Sequence, residues 1–182
     1  MPVTRDEAAQ ALKEVEQTQS LSGQLLGYES AAPHFFVWGL VWMLGYAGTN
    51  FAPDQKNLIW GMVIGIGSLL SILLGRRQGG GGSPALWRSI AISCLVMAFV
   101  GGLMFAMKYF DQRQSLAVIP LAFAVFYTLF GLAVGVRFVI CGLVLGFGTV
   151  LGYFLAGDFF GYWMAVVGGG CLLVTGLWLR RV

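Results

Sequence analysis

The chain has 182 residues, of which 58% are apolar, 14% aromatic and only 10% charged, with a net charge of +3. Soluble domains carry about 25% charged residues, so a water-soluble globule is excluded. The small net charge, with no basic stripe interleaved with aromatics, gives nucleic acid no surface to bind.

Residues 1–32 read as a cytoplasmic amphipathic helix and linker. Thr4-Arg5-Asp6-Glu7 has the spacing of a capping box, and Ala8, Leu12 and Val15 then fall on one helical face. The pattern weakens at Gln19, Ser20, Ser22 and Gly23 and resumes at Leu25 and Leu26. Asp6, Glu7, Glu14, Glu16 and Glu29 outnumber Arg5 and Lys13, a balance that anionic lipid repels. The expectation is therefore a protein contact through Leu12 and Val15, with a partner or a second copy of the chain. No signal-peptide core precedes the first apolar run, which is the expected targeting signal.

From residue 33 onward the chain is one bundle. Six apolar runs, about His34–Asn50, Leu58–Gly75, Ser89–Met107, Leu116–Gly135, Phe138–Ala156 and Phe159–Leu179, have no charge at their centres. About 20 apolar residues in a helix span the ~30 Å hydrocarbon core. None of the runs shows the alternation of a barrel strand. The fold class is an all-α membrane protein, six transmembrane helices in three hairpins.

Lys and Arg fall unequally on the two sides. Arg5, Lys13, Arg76, Arg77, Arg88, Arg137, Arg180 and Arg181 lie on one side, against Lys56, Lys108 and Arg113 on the other. The positive-inside rule then places both termini in the cytoplasm, with a bacterial inner membrane as the expected setting. The opposite side carries Asp54, Asp111 and Asp158, one per turn, each among aromatic residues. They read as turn residues, with Asp158 capping the last span, or as a cation-attracting outer vestibule. Ser115 is the expected cap of span four, with Pro120 just inside it. Pro33 and Pro84 fit first-turn positions, and Gln78–Ser83 has linker composition.

The first and third hairpins resemble one another. Phe36–Val41 aligns with Phe138–Val144 allowing one insertion, and Gly65–Leu70 with Gly168–Leu173, which suggests a parallel internal repeat. Glycines four apart recur at Gly61/Gly65, Gly131/Gly135, Gly142/Gly146 and Gly148/Gly152. In lipid such pairs allow close backbone approach, the main source of helix association there. Span five, with two such pairs, is expected to be the most central. Gly168–Gly170 would pack likewise or loosen span six.

Chemistry-bearing residues are sparse. Cys94, Cys141 and Cys171 all fall in apolar runs and share no CxxC spacing, so no disulfide and no metal site is expected. His34 is the sole histidine, too few for a bis-His haem or most metal clusters. Ser68, in Gly65-Ile66-Gly67-Ser68, has no general base within the span. No nucleotide or cofactor fingerprint occurs, and no intramembrane charge marks an ion-coupled pathway. The reading is a non-enzymatic membrane protein, without cofactor, acting through helix–helix contacts as a subunit, assembly factor or regulatory partner. The alternative is a passive channel or small-solute transporter, whose pore would be lined by Thr49, Ser71, Ser93, Thr128, Thr149 or Thr175.

Overall fold

A computed structural model describes residues 5–77, 91, 95, 98–102, 105–106 and 111–181. Among these the chain is 96% helical and has no strand. The long elements are α1 (Arg5–Phe51), α2 (Lys56–Arg77), α3 (Gln112–Val134) and α4 (Val136–Leu155). Then α5 (Phe160–Met164), a π-helical turn (Ala165–Gly169) and α6 (Gly170–Arg180) run on as one limb. Short 3-10 turns, Pro53–Gln55 and Gly157–Phe159, precede α2 and α5.

Four segments among the described residues are long and apolar enough to cross a membrane: Pro53–Arg77, Gln112–Val134, Val136–Leu155 and Gly157–Arg180. They correspond to the expected spans two, four, five and six. The expected first span is the C-terminal part of α1, where Trp, Tyr, Gly, Thr and Asn dilute the apolar character. The expected third span lies largely outside the described residues, as do Ser93, Cys94, Pro84 and the Gln78–Ser83 segment.

The first departure from the sequence reading is α1 itself. It is continuous over 47 residues, with Pro33 inside it rather than at a first turn. An interior proline costs about 3 kcal/mol in a helix, and packing on both sides offsets that. Tyr28, Ala32, Phe35, Gly39, Trp42, Tyr46 and Thr49 are all buried, a run of alternating four- and three-residue steps. That 3.5-residue repeat is the seam of a left-handed helix pair, and it begins before Pro33.

α1 runs antiparallel to α2, to α3 and to the α5–α6 limb. Small residues set each approach. A methyl added at Gly45 would lie 2.7 Å from the Trp60 ring, and one at Gly48 2.9 Å from Ile59 of α2. On the other side, Gly39 sits against Leu173 and Gly169, Gly161 against Asn50, and Gly176 against Ala32 and Phe36. Gly168 and Gly169 do both things the sequence suggests. They pack on Trp42 and Met43, and they lie in a widened π turn.

α3 and α4 form a hairpin linked by Gly135 alone, at φ 157° and ψ 152°, a region open essentially to glycine. Among the described residues, span five shares the centre of the bundle with the C-terminal limb. Of the apolar windows, 44% of Gly157–Arg180 is buried, 39% of α4 and 6% of α2. α1 packs chiefly on that limb through Ala32, Gly39 and one face of Trp42, while its rings meet those of α2, α3 and α4.

Candidate functional site

The interior is built from rings. Tyr28, Phe138, Phe35, Tyr127, Phe123, Trp42, Tyr46 and Trp60 follow one another with centroids 5.1–5.9 Å apart. Most are tilted or edge-on, the favourable arrangements for ring quadrupoles. This spine joins α1, α2, α3 and α4.

Three of the six hydroxyls expected to line a pore turn back on their own helices. Thr49 Oγ1 donates to the Gly45 carbonyl, Thr128 Oγ1 to Ala124 and Thr149 Oγ1 to Leu145, at 2.7–2.8 Å. Thr175 is buried. Ser71 Oγ is enclosed without a hydrogen-bond partner among the described residues.

One polar contact crosses the core with a clear cause. Pro120 is the ninth residue of α3 and buried, and it has no N–H to offer the carbonyl of residue 116. Tyr46 Oη of α1 donates to that Leu116 carbonyl at 3.0 Å. Helix α3 starts earlier than the sequence suggests, because its cap is Asp111 and not Ser115. Asp111 Oδ1 accepts from Gln114 N at 2.6 Å, and Gln114 Oε1 accepts from Asp111 N at 3.1 Å, a complete capping box. Pro120 is thereby carried into the helix interior.

Asp54, Asp111 and Asp158 are exposed at one end of the bundle. Asp158 lies in the 3-10 turn ahead of α5 and makes no side-chain cap; Asp111 is the aspartate that caps. Arg113 stacks 5.6 Å from the Tyr153 ring and reaches the Tyr153 carbonyl at 3.5 Å. Asp111 is thus committed to capping, and the Arg113 guanidinium sits in the same turn.

At the other end Arg137 lies between Tyr28 and Trp178, 5.3 and 5.1 Å from their ring centres. Its Nη1 donates to the Trp178 carbonyl at 2.6 Å. A cation at the first turn of α4 opposes that helix's dipole, but here it caps the C-terminal carbonyls of α6, where positive charge is favoured. Arg180 stacks on Phe36 at 4.8 Å.

The glycine pairs divide. Gly131 lies against the Val139 backbone, Gly135 against Tyr28, and Gly142 against the Ala124 carbonyl and Thr128. Gly146 faces Ala124, Gly148 faces Val167 and Gly152 faces Trp163, whose Nε1 donates to the Gly148 carbonyl at 2.9 Å. Gly61 and Gly65 meet nothing within 4 Å among the described residues. Leu12 and Val15 are 62% and 51% exposed.

The sequence did not bring together Cys141 of α4 and Cys171 of α6. Their sulfurs are 3.9 Å apart, both as free thiols. Cys171 Sγ also approaches the Cys141 carbonyl at 3.7 Å. No group of three or more His, Cys, Asp or Glu able to hold a metal occurs among the described residues. No family model, curated protein or solved structure matches the chain.

Proposed function

We propose that the chain is a non-enzymatic six-span membrane protein, both termini cytoplasmic in a bacterial inner membrane, that acts by docking a protein partner or a second copy. The observation that carries this reading is the reach of α1. Tyr28 is its first buried side chain among those described, so Arg5 to Gly27 extends roughly 35 Å ahead of the core. Along that extension Leu12, Val15 and Leu25 are exposed. An apolar stripe on an acidic helix is a surface for a protein groove. Continuity with the aromatic seam couples whatever binds there to the bundle.

The channel reading draws no support from the core, since aromatic rings occupy its centre and three of the candidate pore hydroxyls are consumed within their own helices. A parallel repeat of the first and third hairpins also fits the proposal, with duplicated hairpins having diverged in burial. The test is deletion of Pro2 to Ser20, and separately Leu12→Asp with Val15→Asp, followed by native mass measurement and crosslinking in one detergent. Loss of a partner or oligomer with insertion and thermal stability retained is expected; an unchanged set of assemblies refutes the docking role.

A further inference from the structure

We propose that Cys141 and Cys171 form an intramembrane dithiol that closes to a disulfide, with a lipid-soluble quinone as the oxidant. Two helices present these thiols to each other at 3.9 Å, sulfur against sulfur, the arrangement from which a bond of ~2.05 Å forms. The approach is built into the backbone on both sides. In α4, Gly148 meets Val167 of the limb and offers no side chain to that contact. Preceding Cys171, the π turn Ala165–Gly169 inserts one residue into the helix, which turns everything after it by about 100° relative to an unbroken α-helix. Cys171 is the second residue beyond that turn, so the widened turn sets its direction toward α4.

Location selects the oxidant. Cys141 lies four residues into α4 from Arg137, about 6 Å below the level of that guanidinium's helix end. It is buried, whereas Cys171 is half-buried and Val174, nearly one turn on, is exposed on the apolar perimeter. Among the described residues that side opens onto the apolar perimeter. A water-soluble disulfide or glutathione does not reach it, while a two-electron carrier dissolved in the bilayer does. In the reaction both S–H bonds break and one S–S bond forms. Two electrons and two protons pass to the quinone, whose carbonyl oxygens become the hydroxyls of a quinol. The product ties α4 to α6 directly beneath the Arg137–Trp178 contact. This inference stands independently of the docking role of α1.

The test uses the full chain with Cys94→Ser in lipid nanodiscs, treated with a fully ring-substituted benzoquinone that cannot alkylate thiols by addition. After denaturation and alkylation, the two reactive thiols are expected to fall to none, with a mass loss of about 2 Da for the two hydrogens and thiols restored by dithiothreitol. One quinol should appear per chain, and non-reducing electrophoresis should show a monomer. Adding Cys141→Ser or Cys171→Ser should abolish both the quinol and the mass change. Retention of two alkylatable thiols, a disulfide joining two chains, or equal quinol formation by the single-cysteine variants overturns the proposal.

Discussion

Tyr46→Phe removes one hydroxyl and exposes the defect that Pro120 creates. In the native bundle the Leu116 carbonyl receives its hydrogen bond from Tyr46 Oη at 3.0 Å, because residue 120 has no N–H to give. Tyr46 is 1% exposed and Pro120 is fully buried, so no water replaces the lost donor. An unsatisfied buried acceptor costs about 1–3 kcal/mol, and a carbonyl inside an apolar span has no alternative partner. At roughly 2–4 °C per kcal/mol for a chain of this size, the melting temperature should fall by about 2–12 °C. Pro120→Ala restores the helical N–H to the same carbonyl, so Tyr46→Phe in that background should cost less than about 1 kcal/mol. The assay is a double-mutant cycle by thermal melting in one detergent. Equal costs of Tyr46→Phe in both backgrounds would refute the assignment of Tyr46 as the donor that replaces the proline's missing group.

Gly142→Ala should destabilise by about 1–3 kcal/mol, since the added methyl meets the Ala124 carbonyl at 2.6 Å and the Thr128 backbone nitrogen at 2.7 Å. Gly61→Ala meets nothing within 4 Å among the described residues and should gain up to about 1 kcal/mol from helix propensity; parallel melts of the two variants check the contrast. Arg137→Gln should cost about 1–2 kcal/mol through loss of two cation–π contacts and the bond to Trp178, with Arg137→Lys recovering only part because an ammonium does not stack as a plane. Reporter fusions after Gln78 and Val182 should report the cytoplasm, and one at Asp54 or Asp158 the opposite side; an external C-terminus would show that the arginine asymmetry does not orient this chain.

Much of the architecture was legible one helix at a time. Uniform apolar runs bounded by Arg76-Arg77, Gly135-Val136-Arg137 and Arg180-Arg181 locate the described spans to within a few residues, because lipid tolerates only helices with internally satisfied backbones. The seam of α1 was not read from the sequence, because polar residues around it and Pro33 suggest a boundary that the helix does not have. Partners lay beyond the sequence wherever they depend on register between distant segments. Spacing of 30 residues between Cys141 and Cys171 says nothing of a 3.9 Å contact, and Tyr46 lies 70 residues from the carbonyl it satisfies. Glycine pairs at Gly61/Gly65 and Gly142/Gly146 look alike in sequence, yet only the second meets a neighbour among the described residues. In a bilayer every exposed face is as apolar as every buried one, so hydrophobic pattern marks the helices but does not say which sides meet. Steric fit between backbones decides that, and steric fit exists only once the helices are assembled.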